Sequence, residues 1–337
     1  MRARLHTLQP MIKFTVLLSA LTCACAGLRP RLVDASAQKP SNVALYFTVD
    51  TRKGDPVPGL TAEQFRILED GKLVSPFESK QTILNPEVAA KHYTLLLVDM
   101  SGSVTGSGQL PALQEAVNRF TSRISSYQET AVYGFDGRAE LVPIRGFAPG
   151  SGSVNLSGFA TQDPSTNLNG AIVKGIDVLE KQLDRTSVPL RFGTLVIFTD
   201  GTDHAHRVDN SALSSALREV NFDVFVIGVG AEIDERELNA IGRNGTAFSK
   251  NPGEVGEQFD RIAAQIEGFS KRFYLLSYCS PSRAGQHRLT VEPFTADGAS
   301  GSLDYLFSAD GFGPNCDPNR KPNFDVRRPR VGLQSRQ

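Results

Sequence analysis

Asp99, Ser101 and Ser103 occupy alternate positions in the stretch Asp99-Met100-Ser101-Gly102-Ser103, directly after the apolar run Tyr93 to Val98. On a tight turn their oxygens converge on one small volume, and all are hard donors. Such a set suits Mg²⁺, with Mn²⁺ or Ca²⁺ as chemically related alternatives. Ligands from one loop leave a site incomplete. Two residues elsewhere fit the missing places: Thr166, in the polar loop Asp163-Pro164-Ser165-Thr166-Asn167, and Asp200, at the end of the apolar run Thr194 to Thr199. A continuous apolar run that stops at polar residues reads as a strand buried on both faces of a parallel sheet, and ligands bind beyond the carboxyl ends of such strands.

Taken singly, each piece has a plainer reading. D-x-S-x-S forms side-chain to backbone turns, and Asp-Gly after a strand is an ordinary turn. Together and in order, the residues are informative. Over roughly Lys91 to Ser270 the chain resembles a bacterial exported von Willebrand factor A domain carrying a metal-ion-dependent adhesion site, whose signature is D-x-S-x-S, then a downstream threonine, then an aspartate closing the fourth strand. The resemblance implies that the hydroxyls of Ser101, Ser103 and Thr166 bind the metal directly. It gives Asp99 and Asp200 supporting roles, mostly through water. It further implies a metal position open to one Asp or Glu carboxylate of a protein partner, hence a binding module for adhesion or envelope assembly rather than an enzyme.

Asp203-His204-Ala205-His206-Arg207 follows the last of these residues. It reads as a solvated loop on the rim of the site, with Asp203, His204 and His206 tuning ligand choice; a His-x-His Zn²⁺ site would need a third ligand that the spacing does not supply. Two rival functions remain: a metal-assisted hydrolase with His204 or His206 as base, and a structural envelope component. G-x-S-x-G, G-x-x-x-x-G-K-[ST], H-E-x-x-H and G-x-G-x-x-G are all absent. Asp136-Gly137-Arg138 reads as a turn between strands, its charges facing solvent.

The surrounding elements follow from periodicity. Strand and helix signals alternate between residues 91 and 270, which implies a doubly wound, mostly parallel α/β sheet. Its helices span Leu110 to Ser125, Gly170 to Leu183, Ser211 to Val220 and Val255 to Phe269; its strands include Thr130 to Phe135, an antiparallel edge at Ala139 to Ile144, and Phe222 to Val229. Residues 42–90 carry a strand, a capping-box turn at Thr61 and an Asp70-Gly71 hairpin with arms Phe65 to Glu69 and Lys72 to Glu78. Residues 271–316 add alternating, aromatic-rich runs. Neither β segment covers its own apolar face, so the two are expected to pair as one small β-sandwich into which the α/β unit is inserted. Residues 29–41 read as a tether and 317–337 as a disordered basic tail.

The chain has 337 residues, enough for two domains, and its 36 basic and 36 acidic residues cancel. Nothing in that balance steers it to nucleic acid. Residues 1–28 read as an export signal, basic residues preceding an apolar run that ends in small residues. Ordinary cleavage and lipidation of Cys25, with membrane anchoring, are both open. Either route delivers the protein to the cell envelope, as a periplasmic or surface lipoprotein, or to the medium. In such an oxidising compartment Cys279 and Cys316 are expected to pair.

Overall fold

The computed structural model describes residues 27–84, 86, 89–150 and 152–324. Residues 1–26 of the expected export signal, Cys25 among them, lie outside the described residues, whereas Leu28, expected to close that signal, begins the first strand. In chain order the first elements are β1 (Leu28–Gln38), β2 (Asn42–Thr51), β3 (Phe65–Glu69), β4 (Lys72–Leu73) and β5 (Thr82–Leu84). Asp70 and Gly71 both adopt positive φ, 51° and 77°, the tight two-residue turn expected between β3 and β4. The second arm is shorter than expected: regular pairing stops at Leu73, with a last hydrogen bond from Val74 N–H to Ile67 O at 2.8 Å.

The α/β unit runs through β6 (Ala90–Asp99), α1 (Gly102–Gly106), α2 (Leu110–Ile124), β7 (Glu129–Phe135), β8 (Val142–Ala148), α3 (Leu168–Arg185), β9 (Leu190–Thr199), α4 (Asn210–Glu219), β10 (Asp223–Val229), α5 (Glu235–Ile241), β11 (Gly245–Ser249) and α6 (Val255–Lys271). The chain then returns through β12 (Phe273–Cys279), β13 (Gln286–Pro293) and β14 (Leu303–Ser308). The central sheet has the order β11-β10-β9-β6-β7-β8, parallel throughout except for β8. That edge strand begins three residues later than the expected Ala139, since 136–141 build a loop instead.

Side-chain alternation explains the two helical layers. Leu95 and Leu97 of β6 join Ile172, Ile176 and Leu179 of α3 on one face. Leu96 and Val98 meet Val117 and Phe120 of α2 and Phe259 of α6 on the other. A strand covered on both faces must be apolar where it is covered, and β6 is so from Leu95 to Val98.

The terminal segments form two antiparallel sheets, β1-β2-β12-β5 and β14-β13-β3-β4, packed across a shared core. The first sheet is sandwiched in turn. Val43, Leu45 and Phe47 of β2 face the second sheet, whereas Ala44 and Tyr46 join the core under the α/β unit. Strand β12 alternates likewise, with Tyr274, Leu276 and Tyr278 on one side and Phe273 and Leu275 on the other. The two crossings between the units lie side by side: His92 near the start of β6 sits 5.3 Å from Phe273, ring centre to ring centre, and stacks on Phe192 at 4.5 Å. At the same junction the buried Arg272 donates to Asp50 at 3.0 Å. Burial raises the Asp50 carboxyl against the pull of that guanidinium. Burial also lowers the Arg272 guanidinium.

Two expectations are corrected. Residues 29–41 are not a tether: β1 pairs with β2 along its whole length, from Leu28↔Thr51 to Gln38↔Asn42. The Pro and Arg content that suggested a linker is compatible with an edge strand, where a missing N–H is tolerated. Nor are all of residues 317–337 a loose tail. Residues 317–324 lie across β1 and the turn after it: Asn323 N–H donates to Ser36 Oγ at 3.2 Å, and the Gln38 amide donates to Lys321 O at 3.0 Å. Phe324, 2% exposed, closes against Tyr46. One buried aromatic ring outweighs the polar character around it. The remainder, 325–337, lies outside the described residues. Cys279 and Cys316 are disulfide-bonded, with Cα atoms 5.8 Å apart. Among the described residues no helix is long and apolar enough to cross a membrane.

Candidate metal centre

From β6 the chain moves outward to β7 on one side and later returns to β9 on the other. Connections that part in this way leave a crevice between the two strands at their carboxyl ends. Asp99 closes β6 there, and Asp200 follows β9.

Asp99 is fully buried, and its oxygens are spoken for: Oδ1 accepts from Ser101 N–H at 3.0 Å and Oδ2 from the Thr199 hydroxyl at 2.7 Å. These bonds fold the loop so that Ser101 and Ser103 face the same way, their Oγ atoms 3.1 Å apart. Ser103 Oγ then donates across the crevice to Asp200 Oδ1 at 3.0 Å. Four of the five expected residues are thus linked in one hydrogen-bonded cluster. Thr166 arrives by its backbone. Gly102 N–H donates to Pro164 O at 2.9 Å, tying the Thr166 loop to the Asp99 loop, and a Cβ on Gly102 would stand 2.9 Å from the Pro164 ring. Thr166 is 4% exposed, and its carbonyl accepts from the N–H groups of His204 and Ala205, both at 2.9 Å.

Electrostatics mark the place as unusual. Burial, reinforced by the charge of Asp200, pushes the Asp99 carboxyl up to about 7. Asp200 is raised too, chiefly by burial. Two carboxylates share a desolvated corner that also holds several hydroxyls, a donor set in which a divalent cation would relieve the strain on both. Among the described residues no cluster of three or more His, Cys, Asp or Glu is placed to hold a metal ion.

The three residues expected on the rim differ in exposure. His204 and His206 are exposed. Asp203, 7% exposed, accepts from Asn169 N–H at 3.2 Å and His206 N–H at 3.1 Å, so it fastens the rim loop to the first turn of α3. A carboxylate whose acceptors serve backbone groups is held inside the loop.

Asp136 and Arg138 depart further from expectation. They do not face solvent. Asp136 is fully buried and takes Arg138 Nε and Nη2 at 2.8 and 2.7 Å, and the backbone of Gln162 at 2.9 Å. Burial pushes its carboxyl up, but the Arg138 and backbone hydrogen bonds outweigh that and hold it below the usual range. Asn167, which caps α3 through Gly170 N–H, donates its side-chain N–H to Arg138 O at 2.8 Å. Gly137 is obligatory at this approach because a Cβ would collide with Ser165 and Asp163. The Asp136 to Arg138 turn therefore holds the loop that carries Thr166. Its only sequence signal was a charged pair flanking a glycine at a strand end.

An open, doubly wound sheet with an oxygen-rich cluster at its switch point defines the class of protein. Residues 95–261 match the family model of the von Willebrand factor type A domain, and this stretch has the fold of that domain. No curated protein matches the chain. Among solved structures, the chain is similar to a von Willebrand factor type A protein from Catenulispora acidiphila, at 11% identity and a TM-score of 0.42, covering 85% of this chain and 74% of that one. It is also similar to proximal thread matrix protein 1 from the mussel byssus with a zinc-occupied MIDAS motif, at 17% identity and TM-score 0.39, over 58% of this chain and 49% of that one. A further neighbour is the manganese-loaded TRAP protein of Plasmodium vivax, at 13% identity and TM-score 0.39, over 69% and 98% of the two chains.

Proposed function

We propose that the chain is an exported, non-enzymatic binding module that captures an Asp or Glu of a partner protein through a divalent cation, Mg²⁺ by preference, in adhesion or envelope assembly. Ser101, Ser103 and Thr166 would hold the ion, with Asp99 and Asp200 behind them. When bound, the ion supplies an electrophile that uncharged hydroxyls leave hungry for an anionic oxygen. The observation that carries this reading is the Ser103 to Asp200 hydrogen bond across the crevice, 3.0 Å long, with the buried Asp99 beneath it. Exposed flanks at His204 and His206 suit a site that meets a macromolecule. The Cys279–Cys316 disulfide supports a destination outside the reducing cytoplasm, whether the mature protein is free or anchored by a lipidated Cys25.

The test is a calorimetric titration with Mg²⁺ and a chelator-reversible pull-down from envelope extract, comparing the parent with the Ser101→Ala/Asp200→Ala double variant. The parent is expected to bind the ion and to release its partner on chelation; the variant does neither. Equal behaviour of the two proteins would count against metal-mediated capture. Turnover that disappears in His204→Ala/His206→Ala while metal affinity survives would favour a hydrolase instead.

A further inference from the structure

A cleft of about 230 Å³ opens beside the candidate metal centre, and Ser103 and Asp200 line both. Away from those two residues its walls are mainly Val104, Leu113, Phe198, Val229 and Val255, each at most 5% exposed, with Ser107 and Gln109 adding polar groups to the lining. The apolar residues come from α1, α2, the ends of β9 and β10, and the start of α6. Their exposed atoms have no packing partner on the cleft side, so they forfeit contacts that an inserted apolar group would restore. An apolar cavity of about 150 Å³ is enough to take up benzene; this one has room for a single leucine or phenylalanine side chain. Ala231 and Glu232, both exposed, stand at its mouth.

We propose that the cleft receives an apolar side chain adjacent to the partner's metal-bound Asp or Glu, so that the recognised feature is an acid with a leucine-like or phenylalanine-like neighbour. The inference deepens the function proposed above and rests on it. The common wall formed by Ser103 and Asp200 makes the link: the Cα of a residue next to the captured acid lies only about 3.8 Å from the acid's own Cα, so its side chain is within reach of the apolar side of that wall. Charge selects the same feature. Glu232 beside Asp200 makes the mouth acidic, so a second acid next to the first is repelled there, while a neutral apolar residue is accepted.

The experiment uses the mature protein with Mg²⁺ and two synthetic peptides, acetyl-Gly-X-Glu-X-Gly-amide with X either leucine or alanine, titrated by calorimetry and by methyl NMR. The leucine peptide is expected to bind about ten-fold tighter or better, the effect of burying one such side chain, and to shift the methyl signals of Val104, Val229 and Val255. Ala231→Phe, which fills the mouth without touching the metal residues, is expected to erase the leucine advantage while leaving Mg²⁺ affinity unchanged. Equal, chelator-sensitive affinities for the two peptides overturn the cleft proposal and leave carboxylate capture standing. Peptide binding that ignores the chelator overturns carboxylate capture, and the cleft proposal with it.

Discussion

Single residues show where burial sets the chemistry. Asp99 was legible in the sequence because its role lies in a local spacing, and hydrogen bonds within its own turn reproduce that spacing. Its dependence on Thr199, a hundred positions away, was not legible, since only the pairing of β6 with β9 makes them neighbours. His92 illustrates a residue whose importance appears only in the fold. It keeps an edge at the surface, yet its Nδ1 is buried without a partner and its ring lies on Phe192. Burial drops its pKa from 6.5 to about 3. The unfolded chain therefore binds a proton that the folded chain refuses, and stability falls as pH drops from about 6.5 toward 3. Each unit of difference is worth about 1.4 kcal/mol at full burial, and less for a ring with one edge in water. His92→Phe keeps the stack and removes the proton site, so urea midpoints at pH 7 and pH 4 are expected to differ less in the variant than in the parent. Identical pH sensitivity would assign the acid lability to other groups.

At the level of elements, the β6 to β11 alternation could be read from apolar runs and helical spacing because each element is long and covered in a uniform way. Strand β1 could not, since its Pro and Arg residues match a linker in composition and only its partner β2 makes it a strand. The Asp136 to Arg138 turn was hidden for a related reason: burial of a charged pair depends on the loops that close over it. Those loops set the position of Thr166. Arg138→Met leaves the buried Asp136 uncompensated and is expected to cost about 3 kcal/mol or more of stability, with Mg²⁺ affinity reduced along with it. Thermal denaturation and metal titration of the variant check both effects. An unchanged metal affinity would mean that the Thr166 loop holds itself.

The whole molecule is two stacked units joined at one pole, with its C-terminal segment pinned on the outside. The disulfide joins the end of β12 to the segment that crosses β1, closing a loop of 37 residues. Reducing it is expected to lower stability by about 4 kcal/mol on the chain-entropy account. A calorimetric melt with and without reductant measures this, and a negligible shift would show that Phe324 and its neighbours hold the segment unaided. The placement of β6 has a mechanical corollary. Its first residue, Ala90, leaves the sandwich, its last, Asp99, opens the metal loop, and parallel strands flank it on both sides. Under the proposed capture, a tug on the partner's carboxylate would travel straight down this strand to the β-sandwich, and its ladder bonds would bear the load in shear, all at once, instead of peeling open one after another.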